Sequence, residues 1–143
     1  MTYVPIEIHN KSLESDIFRN IYSLVDEYRV NNSYITVQDR EHDSKYPLYT
    51  IYLPKINQNY NNVQQTTVMI PFTIQIDFDA LPGKGDWQKT TEMKDLVKYG
   101  FETNFTNRHL IYTGCDDLSS EPIDINGQQV FSKSVLFSFL VRL

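Results

Sequence analysis

Asp77 and Asp79, separated by one residue, are the side chains of this chain best suited by type and spacing to do chemistry. In an extended strand they point to one face, where paired carboxylates can trade a proton or hold a magnesium ion. A spacing of two is weak as a signature, and the simpler reading puts both on the wetter face of a strand near its end. Glu41, His42 and Asp43 form a second group of ligand types, but they sit in a charged turn whose spacing sets no metal geometry. His9 and His109 have no metal partners close in sequence. Cys115 is the single cysteine, so there is no intrachain disulfide framework, and a zinc ion there would need ligands from distant segments. A half-buried thiol near a turn carrying Asp116 and Asp117 is the plainer assignment, and a reducing cytoplasm suits it.

Other chemistries leave even less trace. Gly83-Lys84-Gly85 lacks the longer spacing of a phosphate-binding loop and reads as an ordinary turn. There is no Gly-x-Ser-x-Gly elbow, dinucleotide glycine fingerprint or Cys-x-x-Cys pair. Lys84, Lys89, Lys94, Lys98 and Arg108, with Trp87 and Tyr99 nearby for stacking, could line a nucleic-acid strip. Glu92, Asp95 and Glu102 dilute it, which favours a solvated helix face. The sequence therefore nominates no catalytic, cofactor-binding or metal-binding residue, and no cofactor.

The elements that would position these residues fit one domain of 143 residues. Ten tyrosines and eight phenylalanines against five glycines favour packed strands, with most of the aromatic excess serving the core. A net charge of -5 and a pI near 5.1 supply no general field for nucleic acid. The amino terminus lacks a basic segment followed by an apolar run, and no stretch nears the roughly twenty apolar residues of a membrane span. Neither secretion nor membrane insertion is expected.

Leu13, Ile17, Ile21, Leu24, Val25 and Tyr28 recur at helical steps, predicting a helix from Ser12 to Tyr28. Asn10 or Ser12 would cap it, and Asn31-Asn32 would mark its end. Two β-rich runs follow, Ser33 to Gln38 and Leu48 to Leu53, which could pair as neighbours. The polar stretch from Asn57 to Gln65 reads as a loop or as an arm that orders on a neighbouring subunit. Alternation of Phe72, Ile74, Ile76 and Phe78 with Thr73, Gln75 and Asp77 is the clearest strand, and Pro71 argues for a bulge or an edge position in its first half. A second helix from Asp86 to Phe105 carries Met93, Leu96, Val97, Phe101 and Phe105, with Asp86 as cap. Gly100 permits close approach to the sheet or marks an early end. His109 to Thr113, Ile123 to Ile125 and Gln129 to Leu143 read as strands, with Asn126-Gly127 as the strongest hairpin signal. The order α-β-β-β-α-β-β-β predicts an α+β fold: a mainly antiparallel β-sheet flanked by two α-helices.

This layout resembles the tail terminator proteins of tailed bacteriophages, also called neck or tail-completion proteins. The resemblance rests on the leading helix Leu13 to Tyr28, on Tyr46-Pro47-Leu48-Tyr49-Thr50-Ile51 opening a strand, and on the polar loop before Val68 to Phe78. It also rests on the helix containing Met93-Lys94-Asp95-Leu96-Val97 and on the closing strand Phe131 to Leu143. It implies a structural virion protein without catalysis: a homo-oligomeric ring, a hexamer, at the head-proximal end of the tail. Such a ring ends tube polymerisation and contacts the tail-tube protein and the head-tail connector. DNA passes through its channel without specific binding, no membrane is involved, and assembly takes place in the host cytoplasm. Asn57, Asn59, Tyr60, Asn61, Asn62 and Gln65 are the expected oligomer-interface residues, because ring closure needs complementary edges and extended loops supply them. The alternatives are another head-completion or tube-associated subunit, or a small ligand-binding domain or enzyme with a pocket where Asp77, Asp79 or His109 converge.

Overall fold

Ile17, Ile21, Leu24 and Val25 occupy one face of the first helix and are fully buried, as their spacing predicts. The computed structural model describes residues 13–38, 45–56, 69–83, 85–106 and 110–142. The elements run α1 (Leu13–Tyr28), β1 (Tyr34–Val37), β2 (Leu48–Ile51), β3 (Lys55–Ile56), β4 (Met69–Ala80), α2 (Asp86–Asn104), β5 (Leu110–Ile125) and β6 (Gln128–Arg142). The fold is the expected α+β class, a mainly antiparallel sheet with two helices. Two details differ. The two-residue β3 adds a strand before α2, and the strands expected at His109 to Thr113 and Ile123 to Ile125 belong to one continuous β5.

The sheet order is β1-β2-β4-β6-β5, with β3 also paired to β4. The two β-rich runs near the amino terminus do pair, but in parallel, with Tyr34 opposite Leu48 and Val37 opposite Ile51. All other pairings are antiparallel. At Pro71 the strand faces Leu140 of β6, while β3 reaches only Phe72 and Thr73. The missing N–H thus falls where no described strand lies on the other side, as the edge expectation required.

Directly opposed residues of an antiparallel pair share a face. Phe72, Ile74 and Ile76 of β4 lie opposite Phe139, Phe137 and Val135 of β6, and this face joins the buried side chains of both helices in one core. The helices therefore stack on a single face of the sheet. Phe101 sits at the centre, its ring centroid 5.0 Å from those of both Phe137 and Phe139 and 5.7 Å from that of Phe105. Burying each such side chain stabilises the fold by roughly 1.5–3 kcal/mol. Leu96 departs from the expected stripe and is exposed, because the buried face of α2 runs through Thr90, Met93, Val97, Gly100 and Phe101.

Local ends follow from backbone chemistry. Asp86 is the first helical residue rather than the cap. Gly85 takes the cap position at φ 99, and the Asp86 carboxylate accepts the Trp87 N–H at 2.7 Å. Asn126 and Gly127, at φ 52 and 81, close the β5–β6 hairpin as that dipeptide predicts. The Gly127 N–H donates to Asp124 at 2.8 Å.

Candidate functional site

Asp77 and Asp79 do share one face of β4, the face turned away from the helices. The expectation that they sit in the wetter part of the fold is overturned, because their exposures are 1% and 0%. They lie at the centre of the sheet, between β2 and β6, opposite Thr50 and Leu48 on one side and Ser134 and Ser132 on the other. A carboxylate in such a position needs hydrogen bonds. Asp77 accepts them from the Tyr52 hydroxyl at 2.9 Å and from Gln75 Nε2 at 3.0 Å. These contacts hold the carboxylate inside a strand-to-strand polar layer, and neither aspartate lines any of the three clefts described below.

Among the described residues no three His, Cys, Asp or Glu side chains converge in a way that could hold a metal ion. No described helix is long and apolar enough to cross a membrane. His9, His42, His109, Glu41 and Asp43 lie outside the described residues, as do Lys84 and Arg108 of the basic strip. So do the six interface residues expected in the polar stretch, Asn57, Asn59, Tyr60, Asn61, Asn62 and Gln65.

The rest of the basic strip is divided. Lys94 reaches across to Asp117 of β5, Nζ to Oδ1 at 2.8 Å. That hydrogen bond, reinforced by the charge of Lys94, holds the Asp117 carboxyl below its ordinary range against a smaller opposing effect of burial. Burial, the largest single effect, pulls the Lys94 ammonium down, but the bond to Asp117 together with the charges of Asp117, Cys115 and Asp95 outweighs it, and the group titrates higher than usual. Lys98 lines a cleft near Cys115, and Lys89 lines another at the start of α2. Trp87 and Tyr99 are 55% and 60% exposed.

The cleft of 490 Å³ beside Cys115 lies between the second half of α2 and the start of β5, lined by Lys98, Glu102, Phe105, Tyr112 and Gly114 among others. Cys115 is half-buried, as expected, but within a strand beside a bulge rather than near a turn. The Tyr112 hydroxyl is buried there with no well-directed hydrogen-bond partner. Burial, and then the neighbouring Cys115 thiol, push its titration well above that of a free tyrosine. A cleft of 340 Å³ lies between Tyr46-Pro47 and the Gly83–Gly85 turn, and one of 390 Å³ runs along the outer surface of α2 between Trp87 and Leu96. Lys98, Glu102, Tyr112 and Cys115 share the walls of the first of these clefts, while the other two carry no cysteine or histidine among their described lining residues.

The surfaces that stand out are the two ends of the sheet. Among the described strands, β1 has a neighbour only in β2, and β5 only in β6. β5 contributes Asp116, Asp117, Glu121 and Asp124 and no basic residue over sixteen positions. The strands at the other end, β1, β2 and β3, contain no acid and one lysine, Lys55, and Lys45 lies over the Tyr34 ring at 5.6 Å. Tyr34, Val37 and Leu53 are exposed at that end, and Leu118 at the β5 end. Sequence reasoning missed both surfaces, because which strand is outermost is a property of the pairing and not of any one segment. The chain matches no family model and no curated protein.

Proposed function

We propose that this chain is the ring-forming subunit of a tailed-phage neck, placed at the head-proximal end of the tail to end tube polymerisation and receive the head connector. The observation that carries the reading is the pair of unlike sheet ends. A ring is built by a heterologous contact, in which one patch of a subunit meets a different patch of the next. A sheet closed by an acidic sixteen-residue strand at one end and by short acid-free strands at the other offers two such patches. The core supports a structural role as well: its aromatic side chains interlock between one helix layer and one sheet, a rigid support for outward-facing contacts. A net negative charge suits a channel through which DNA slides, since basic contacts would add affinity for phosphate.

Native mass spectrometry across protein concentration, followed by negative-stain imaging, tests the reading. A closed ring, in the expected case a hexamer, supports it. A monomer that persists at every concentration and leaves purified tail tubes unbound removes it, and moves weight to a ligand site in the cleft lined by Tyr112 and Cys115.

A further inference from the structure

We infer that the lateral contact of this ring is a side-chain contact between the acidic β5 edge of one copy and the lysine-bearing β1–β3 edge of the next, so that assembly depends on salt. The inference rests on the ring reading and names the partner of each edge. β5 is poorly suited to adding a further strand through its backbone. It has register shifts at Tyr112/Gly114 and Asp117/Ser119, and Pro122 lacks an N–H. Bulges, proline and charge are the devices by which proteins keep an open edge from recruiting strands indiscriminately. A surface that binds here must bring positive charge in side chains.

The chain itself carries the complement, on the matching face. Asp116 and Glu121 lie opposite Leu136 and Ser132 of β6, and so project from the face of the sheet away from the helices. Lys55 lies opposite Thr73 and projects from that same face. Setting the β5 edge beside the β1–β3 edge of a second copy at the same level, with both helix layers on one side, brings Asp116 toward Lys55, since the β4 residues level with them, Gln75 and Thr73, are neighbours on one face. It also brings Glu121 level with Tyr34. Lys45, over the Tyr34 ring, then lies toward Glu121, and the exposed Val37 toward Leu118. Asp116, Glu121, Lys45 and Lys55 are all exposed, whereas Asp117 is already committed to Lys94. Charges exposed in this way attract strongly only when screening is weak, so contacts of this type loosen as salt rises.

The test is sedimentation velocity and native mass spectrometry of the full chain from about 50 mM to about 500 mM salt, on the wild type, Asp116→Lys, Lys55→Glu and the double reversal. Circular dichroism melts serve as the folding control. The expected result is assembly that weakens with salt, about tenfold or more weaker assembly for each single reversal, and recovery to within a few-fold of wild type in the double. A wild-type ring indifferent to salt and to both single reversals overturns this pairing while leaving the ring reading intact. Weakening without recovery in the double overturns it too. A wild-type monomer under all conditions overturns both.

Discussion

Gly100 of α2 lies directly against Tyr28 of α1: a Cβ at that position would come within 2.8 Å of Tyr28 Cδ2 and 2.9 Å of Leu24 Cδ2. The close approach expected of this glycine is real, but it is to the other helix and not to the sheet. Asn104 secures the contact, its Nδ2 donating to the Tyr28 hydroxyl at 3.1 Å and to the Gly100 carbonyl at 2.9 Å. The edge of the Tyr99 ring adds to it at 6.3 Å between centroids.

Gly100→Ala therefore sets two effects against each other. Alanine favours the helix by about 1 kcal/mol, while overpacking a close contact costs about 1–3 kcal/mol. The ring root of Tyr28 cannot swing aside as the end of a flexible chain would, so overpacking wins. Urea denaturation should show a net loss of about 1–2 kcal/mol, and an equal or higher midpoint would contradict the packing argument.

Tyr49 should contribute to the alkaline limit of stability. Its hydroxyl accepts the Val30 N–H at 3.1 Å, tying the end of α1 to β2, and burial pushes its pKa up to about 12. The unfolded chain gives up this proton near pH 10 and the folded chain does not, so the contribution is whole below about pH 10 and is lost as pH rises toward 12. Tyr49→Phe leaves the Val30 N–H without its partner, at a cost of about 1–3 kcal/mol at neutral pH, and removes this part of the alkaline decline. Denaturation midpoints from pH 8 to 12 check both effects.

Asp117→Asn should matter only where the aspartate is charged. With its folded pKa held below the ordinary value, Asp117 contributes stability above about pH 4 that is lost as pH falls through the lowered pKa. Lys94, raised, contributes below about pH 10.4 and loses that contribution as pH rises past its folded pKa. Because Asp117 is half exposed, the deficit of the variant at pH 7 should be small, about 0.5 kcal/mol. It should vanish near the acid end of a melting series, and a deficit that persists there would mean the residue acts through packing.

Lys133 is 6% exposed and lies opposite Phe78 in the sheet, with its ammonium on the Ser120 hydroxyl at 3.2 Å. Its stem packs as an apolar chain, and among the described residues its charge meets the neutral Ser120 hydroxyl and, less directly, the Asp117 carboxylate, which it helps to hold ionised. Lys133→Met keeps the stem and removes the cost of holding the charge in a nearly closed site, so thermal melts should show an equal or higher midpoint, by up to about 1 kcal/mol. Lys133→Ala, which loses the stem, should fall by about 2 kcal/mol.

Periodic side chains made the helices and the inner strands legible before any coordinates: Ile17 to Val25, Phe72 to Phe78 and Val135 to Val141 all bury as their spacing requires. The Asn126-Gly127 turn was equally plain, since few dipeptides accept two positive φ angles in succession. The candidate site was legible only in part. Asp77 and Asp79 were correctly placed on one face, yet their burial could not be read, because alternation reveals which residues share a face and not what lies above it. The break expected between Thr113 and Ile123 failed for a related reason. Gly114, Asp116-Asp117 and Pro122 are turn-forming residues in isolation, but in β5 they serve as bulges and edge residues along a strand that β6 holds in register.

Local chemistry in the chain was enough to set the α+β class, the two helices, the hairpin and most of the apolar core side chains, since helix and strand periodicity act over a few residues. The pairing of distant segments decided the rest: that β1 joins β2 in parallel, that both helices share one face, that Gly100 receives a tyrosine and not the sheet, and that β1 and β5 end up outermost among the described strands. Those outcomes depend on contacts between residues far apart in sequence, whose energies exist only once the chain has folded.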